Sequence, residues 1–183
     1  MSRFQETFNK ELAPELQKEL GIKNRFAIPI LKKIVINSGI GRISKEDKAI
    51  ESVNEQLSLI TGQKPIITKA KKAISSFKIR EGAPVGLKAT LRGKRMYDFL
   101  ERMIKVIMPR TRDFDGIPEK SISETGILTV GFKNVEAFPE TSHQQKKIEY
   151  SFGLEVTMVP KCKNREEALF LYKKLGLIFK KNK

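Results

Sequence analysis

Apolar residues recur at the three- and four-residue spacing of an amphipathic helix in four segments of the chain. These segments cover about residues 4–20, 44–61, 96–107 and 165–175. Pro14 lies inside the first segment and is expected to kink or split that helix, because proline has no backbone N–H to donate. Gly21 and Gly62 follow the first two segments, where a glycine commonly ends a helix. We therefore predict four helices.

Five shorter runs are rich in β-branched residues or alternate between apolar and polar residues, as strands do. They cover about residues 30–37, 66–71, 86–92, 127–132 and 153–159. In the third run the alternation is strict, so its polar residues share one face: Lys88, Thr90 and Arg92. The apolar face of this strand is predicted to join the core, and the other face to be cationic.

The order of these elements, α-β-α-β-β-α-β-β-α, contains the β-α-β-β-α-β kernel of ferredoxin-like and RRM-like folds. We predict an α+β protein with an antiparallel sheet, helices packed on one face, and extra helices at the N- and C-terminal ends. No internal repeat or Ser/Pro-rich linker interrupts the chain, so residues 1–183 are expected to form a single domain. The second face of the sheet is then free to bind a partner.

The positive charge is concentrated in one part of the chain. The formal net charge is +15, and residues 64–112 alone hold 14 Lys or Arg against Glu81, Asp98 and Glu101. A solvated surface ordinarily mixes the two signs, so this segregation favours a binding surface for a polyanion. Nucleic acid is the leading candidate.

Polar residues from two further strands extend the predicted cationic face. Asn37 ends the first strand, and Lys69 and Lys71 belong to the second. If the strands are neighbours, these side chains join the polar residues of the third strand in a surface that can contact phosphates, 2′-hydroxyls and base edges. The chain has no Trp, and none of these outward positions is Phe or Tyr. We therefore expect recognition of structured RNA by its shape and backbone.

A basic loop at about residues 72–84 contains too much Ser, Gly and Pro to be mainly regular structure. Two interpretations stay open. The loop is a solvated hairpin connection, or it is a protruding finger that orders against a second RNA with Phe77 at its tip.

Signals for other kinds of protein are missing from the sequence. His143 is the only histidine and has no nucleophile–base context, and the single Cys162 excludes a cysteine-cluster metal site. We expect no enzyme activity, metal or cofactor; a nuclease is the nearest alternative, but the basic segment lacks its acidic cluster. No run approaches a membrane span of about 18 apolar residues, so we expect a cytoplasmic protein without a membrane partner.

One segment is specific enough to indicate a family. Residues 57–73, Leu-Ser-Leu-Ile-Thr-Gly-Gln-Lys-Pro-Ile-Ile-Thr-Lys-Ala-Lys-Lys-Ala, resemble the signature of the family of bacterial-type large ribosomal subunit protein number five. The resemblance continues through residues 37–41, 77–80, 86–93, 109–114 and 138–140. It implies a place in the central protuberance of the large subunit, where members of this family hold 5S ribosomal RNA.

The resemblance also implies which residues contact which partner. Contacts to 5S ribosomal RNA fall on polar and cationic residues: Asn37, Gln63, Thr90, Lys33, Lys69, Lys71, Lys88 and Arg92. A finger towards P-site transfer RNA falls on Ser75, Ser76, Phe77, Lys78 and Arg80. A bridge to small-subunit ribosomal protein number thirteen falls on a later region that includes Arg110, Arg112, Asp113 and Phe138. Large-subunit ribosomal RNA is the remaining implied partner, and no DNA partner is expected.

Overall fold

Five strands form one antiparallel sheet in the computed structural model, which describes residues 3–43, 46–77, 79–111, 114–142 and 152–180. The sheet order is β2-β3-β1-β5-β4. The strands are β1 (Ile30–Gly39), β2 (Ile66–Lys69), β3 (Pro84–Leu91), β4 (Leu128–Phe132) and β5 (Leu154–Lys161). The predicted α+β class with an antiparallel sheet is confirmed.

The sheet order contains one feature that the order of elements did not specify. In the β-α-β-β-α-β kernel, β4 would lie beside β1, but here β5 lies between β1 and β4. β4 and β5 are consecutive in the chain and are neighbours in the sheet, as consecutive strands usually are. The last strand of the chain therefore becomes an interior strand, and β2 and β4 become the two edges.

Seven α-helical segments accompany the sheet in the described residues. They are α1 (Arg3–Thr7), α2 (Ala13–Glu19), α3 (Asp47–Thr61), α4 (Gly93–Arg102), α5 (Met108–Arg110), α6 (Pro139–Ser142) and α7 (Arg165–Lys174). The spacing of apolar residues predicts the long amphipathic segments but not the short α6. Asn164 caps the N-terminus of α7: its side chain accepts a hydrogen bond from the backbone N–H of Glu167 and so satisfies one free donor of the first turn.

Two π-helical turns precede the prolines that interrupt the helical segments. One π-helical turn, Phe8–Leu12, joins α1 to α2, and another, Met103–Ile107, joins α4 to α5. In each case one residue separates the end of the turn from a proline, Pro14 or Pro109. Proline cannot donate the next helical hydrogen bond, and π-helical turns are a common way for a helix to change its hydrogen-bond register. The predicted interruption near Pro14 therefore takes the form of a widened turn.

The chain divides into two compact units, and strand residues occur in both. The first unit contains Met1–Ile34, Leu91–Val130 and Thr157–Lys183, and the second contains Val35–Thr90 and Gly131–Val156. The expectation of a single domain for the whole chain stays a prediction.

In the first unit, two polar contacts join elements that are distant in sequence. Lys174 Nζ of α7 lies 3.0 Å from Glu19 Oε1 and 3.2 Å from Glu15 Oε2 of α2, and these hydrogen bonds raise the pKa of Lys174. The buried Tyr172 hydroxyl lies 2.9 Å from the Gly126 carbonyl oxygen, and burial raises the pKa of this phenol. A buried hydroxyl that finds such a partner avoids the cost of an unpaired polar group.

In the second unit, α3 supplies the helical part of the core. Its residues Val53, Leu57 and Ile60 are fully buried and recur at helical spacing. The helix ends at Gly62, whose φ of 68° places it in the left-handed region that favours glycine. This turn directs the following residue, Gln63, towards the sheet.

Candidate nucleic-acid interface

The end of α3 is joined to the end of β3 through Gln63. The Gln63 side chain donates a hydrogen bond from Nε2 to the backbone oxygen of Thr90 over 3.1 Å. The Thr61 hydroxyl lies 2.9 Å from the Gln63 carbonyl oxygen and so holds the backbone of the same turn. Two residues that are 27 positions apart in sequence, Gln63 and Thr90, are thereby brought into contact.

One side of the sheet in the second unit is polar and accessible. On β3, Leu87 and Ala89 are buried, whereas Lys88 is exposed and Thr90 is partly exposed. On β1, Ile36 and Ser38 are buried, and Asn37 between them is partly exposed. We call this side the open face and define it as Asn37, Ile66, Thr68, Lys88 and Thr90.

The register of β2 against β3 decides which residues of β2 belong to the open face. Ile66 is paired with Lys88, and Thr68 is paired with Gly86. Directly opposed residues of an antiparallel pair share a face, so Ile66 and Thr68 point to the open face. The register shifts directly after Thr68, so that Lys69 is paired with Pro84, and the predicted place of Lys69 on this face stays a prediction. Lys71 follows the end of β2 and is exposed.

Gly86 allows two side chains of the open face to lie close to the backbone of β3. A Cβ atom at this position would lie 2.7 Å from Thr68 Oγ1, 3.2 Å from the Ser38 carbonyl oxygen and 3.6 Å from Asn37 Oδ1. A glycine inside a strand commonly marks such a close approach. Thr68 is missing from the sequence prediction, although the glycine within the strand pattern of β3 is a usable signal for it.

Two shallow depressions flank the polar residues of the second unit. One, of about 450 Å³, is lined by Asn37 and by exposed residues that include Lys133 and Glu155, which carry opposite charges. The other, of about 550 Å³, is lined by Gln63, Lys64, Ser58 and the exposed Leu59. Both are open to solvent, and no sequence pattern predicts either of them.

The basic loop between β2 and β3 pairs with itself as a hairpin. At its base, the Ala70 N–H donates to the Ala83 oxygen over 2.9 Å, and further out Ile74 and Ile79 exchange two backbone hydrogen bonds. A single 3₁₀ turn, Ser75–Phe77, lies between them, and the Phe77 side chain is 74% exposed. We call residues 72–84 the finger. Ser75, Ser76 and Arg80 are exposed, and Lys78 lies outside the described residues.

The other predicted contact residues fall in different environments. In the first unit, Lys33 on β1 is partly exposed, and Arg92 and Arg110 are exposed. In the second unit, Phe138 is completely buried and packs edge-to-face on Phe132, with 5.5 Å between the ring centroids. Phe138 is therefore corrected from a contact residue to a core residue. Arg112, Asp113 and His143 lie outside the described residues.

Two features typical of other functions are missing from the described residues. Within residues 3–43, 46–77, 79–111, 114–142 and 152–180, no group of three or more His, Cys, Asp or Glu side chains is placed to hold a metal ion. In the same parts of the chain, no helix is both long enough and apolar enough to cross a membrane.

An antiparallel α+β fold with a polar, lysine-bearing sheet face and a basic hairpin defines a class of protein suited to a polyanionic partner. Comparison with known proteins identifies the family of this chain. Residues 24–80 match the family described as "Ribosomal protein L5", and residues 84–179 match the model of the C-terminus of the same ribosomal family. The chain belongs to the ribosomal protein L5 family, as its resemblance predicted.

Bacterial relatives match this chain over nearly its whole length. A protein of Mesoplasma florum is 44% identical over 180 residues, which cover 98% of this chain and 99% of the relative. A protein of Fusobacterium nucleatum is 43% identical over 180 residues, covering 98% and 97%, and one of a Synechococcus strain is 46% identical over 177 residues, covering 97% of each. Each is called "Large ribosomal subunit protein uL5". The predicted place in the large ribosomal subunit is confirmed by this family membership.

Proposed function

We propose that this protein binds 5S ribosomal RNA through the open face and Gln63, and that it attaches this RNA to the central protuberance of the large subunit. Its role is structural, and it catalyses no reaction. The observation that carries the proposal is the convergence of Asn37, Thr68, Lys88 and Thr90 on one accessible side of the sheet, with Gln63 held against the end of β3.

The chemistry of the open face fits RNA in a defined way. Lys88 supplies a cation for a phosphate, while the Asn37 amide and the two threonine hydroxyls can both donate and accept hydrogen bonds. Hydroxyl and amide groups suit the 2′-hydroxyls that RNA presents in its shallow minor groove. No aromatic residue belongs to the open face, so stacking on splayed bases is not its mode of recognition. Lys33, Lys69, Lys71 and Arg92 remain proposed phosphate contacts.

The first test compares single substitutions on the open face. Asn37→Ala and Thr90→Ala are each expected to weaken 5S RNA binding by about two- to tenfold, because each removes one hydrogen bond. Thr90→Ala preserves the backbone oxygen that Gln63 contacts, so the α3–β3 junction survives. Lys88→Ala is expected to reduce the slope of log affinity against log salt by about one phosphate contact. Filter binding to 5S RNA over a salt series measures both quantities.

A matched lysine provides the control for these variants. Lys120 is exposed in the first unit, and Lys120→Ala removes the same charge without touching the open face. Equal changes in salt slope for Lys88→Ala and Lys120→Ala would mean that net charge alone governs binding. Unchanged affinity in the Asn37, Lys88 and Thr90 variants together would reject the open face as the RNA site.

We further propose that the finger contacts P-site transfer RNA and is separable from the open face. Phe77 and Arg80 are exposed on a hairpin whose backbone pairs are made within the hairpin itself. The double variant Phe77→Ala with Arg80→Ala is therefore expected to fold normally and to keep its 5S RNA affinity. Ribosomes that carry it are expected to release P-site transfer RNA several-fold faster, in line with the loss of about 1 kcal/mol or more. A matching loss of 5S RNA binding would assign the finger to the first interface.

Two further partners belong to the proposed function. Large-subunit ribosomal RNA and small-subunit ribosomal protein number thirteen are proposed partners, the latter through the region that contains the exposed Arg110. Phe138 is buried and offers no surface to a partner.

A further inference from the structure

A single aromatic side chain stands out on the surface of the first unit. Phe26 is 87% exposed, the highest value among the large apolar side chains that the structure describes as exposed. It lies in a 3₁₀ turn, Arg25–Ala27, between α2 and β1. A phenylalanine that stays in water forgoes the stabilisation of burial, and a partner that covers the ring recovers it.

The backbone around Phe26 is held in place. The Phe26 N–H donates to Asn24 Oδ1 over 2.9 Å, and the Ala27 N–H donates to the Asn24 carbonyl oxygen over 3.0 Å. On the far side of the turn, Ile28 is 5% exposed and anchors the chain in the core. The ring is thus presented by a turn with defined hydrogen bonds and a buried anchor. A side chain displayed in this way needs little further ordering when it binds.

Cationic residues lie next to Phe26 in the sequence, and acidic residues are missing from the same segment. Lys23 precedes the turn, Arg25 is its first residue, and both are exposed. Residues 20–45 contain six Lys or Arg and no Asp or Glu. Neither Lys23 nor Arg25 has an ion-pair partner within the part of the chain that the structure describes. Two uncompensated cations beside an exposed ring complement a polyanion that also offers flat apolar surfaces.

We propose that residues 23–27 form a second RNA-binding site, in which Phe26 stacks on an unpaired base while Lys23 and Arg25 contact the neighbouring phosphates. An aromatic ring beside cationic side chains is a recurring arrangement for binding single-stranded nucleic acid. The proposal rests on the proposed function for its choice of ribosomal RNA as partner. It differs in mode, because the open face has no aromatic residue and this turn uses stacking.

A protein partner would need a different surface. Protein interfaces bury a contiguous apolar core, but the neighbours of Phe26 in the turn are the exposed Lys23, Asn24, Arg25 and Ala27. One ring among polar and small residues offers a stacking platform and little apolar area beyond it. The observations therefore favour an RNA base, and a protein pocket becomes an outcome of the test.

A series of substitutions at position 26 separates stacking from apolar packing. Phe26→Leu keeps an apolar side chain without an aromatic face, Phe26→Trp keeps a face for stacking, and Phe26→Ala removes both. Large subunits reconstituted with each variant are washed at increasing salt, and the release of the protein is measured. Stacking predicts about five- to hundredfold faster release for both Ala and Leu, and near wild-type retention for Trp. Wild-type retention by Phe26→Leu with loss by Phe26→Trp would overturn the proposal in favour of a protein pocket, and equal retention by all would overturn it outright.

A photocrosslink identifies the partner directly. The benzophenone of p-benzoylphenylalanine replaces the Phe26 ring, and the reconstituted large subunits are irradiated. A crosslink mapped to an unpaired ribosomal RNA nucleotide supports the proposal, and a crosslink to protein, or none, overturns it. Melting temperatures equal to that of the wild type verify that the variants fold. Filter binding to 5S RNA keeps the two hypotheses distinct. The Phe26 variants test the turn, whereas the Asn37 and Thr90 variants test the open face alone.

Discussion

Gly86→Ala is expected to lower the affinity for 5S RNA by about thirtyfold while leaving the protein folded. The added Cβ would lie 2.7 Å from Thr68 Oγ1 and 3.6 Å from Asn37 Oδ1, so the threonine side chain must move and the asparagine loses room. Two hydrogen bonds of about 1 kcal/mol each correspond to about a thirtyfold change in affinity. Filter binding with 5S RNA measures the effect.

The stability of this variant is expected to change by less than about 1 kcal/mol, because two effects oppose each other. Alanine in place of glycine lowers the entropy lost on folding and stabilises a strand by roughly 0.5–1 kcal/mol. The contact with the Ser38 carbonyl oxygen at 3.2 Å requires a small backbone shift that offsets part of this gain. Urea unfolding therefore separates an effect on the site from an effect on the fold.

A double-mutant cycle tests the cause of the lost affinity. Thr68→Ala removes the hydroxyl that the new methyl group would displace. If Gly86→Ala acts by displacing this hydroxyl, the two changes together cost less affinity than the sum of their separate effects. Strict additivity would show that Gly86 and Thr68 affect binding independently, and the geometry described for the open face would then not explain the loss.

Phe138→Ala is expected to lower the free energy of unfolding by about 3–5 kcal/mol, the usual cost of emptying a buried phenylalanine site. The Phe138 side chain is 0% exposed and packs on the Phe132 ring at an interplanar angle of 76°. Edge-to-face pairs add about 0.5–1.5 kcal/mol to the energy of burial. Chemical denaturation monitored by circular dichroism measures the loss.

A conservative substitution at the same position provides the control. Phe138→Leu keeps most of the volume and is expected to recover a large part of the lost stability, because the remaining cavity is smaller. A residue that contacts a partner from the surface would behave in the opposite way. If Phe138→Ala keeps the wild-type stability and weakens only subunit association, the assignment of this residue to the core is wrong.

Much of the fold can be predicted from the spacing of apolar residues. The buried face of α3 follows the 3.6-residue period, and the alternation in β3 separates Leu87 and Ala89 from Lys88 and Thr90. These patterns are local, since the period of an element fixes which of its side chains share a face. The family can be predicted as well, because residues 57–73 combine a helix end, a glycine turn and an edge strand in one run.

Residues whose role depends on a second element cannot be placed in the same way. Thr68 belongs to the open face because it is paired with Gly86, and a register shift directly after it pairs Lys69 with Pro84. The exposure of Phe26 is even harder to predict from the sequence. Residues 20–45 contain no Asp or Glu, which indicates a cationic surrounding, but no local pattern indicates that the ring is exposed. A sequence pattern indicates neither the register between strands nor the exposure of a loop side chain.

The sequence alone predicts the helices and strands, the cationic face of β3, the basic loop and the family. Each of these depends on contiguous residues or on the period of a single helix or strand. Three features appear only in the tertiary structure: β5 lies between β1 and β4, Gln63 is hydrogen-bonded to Thr90, and Phe138 is buried. Each of these depends on residues that are distant in the chain and become neighbours when the core forms. Their positions follow from which surfaces are buried together, and the period of a single segment does not contain that information.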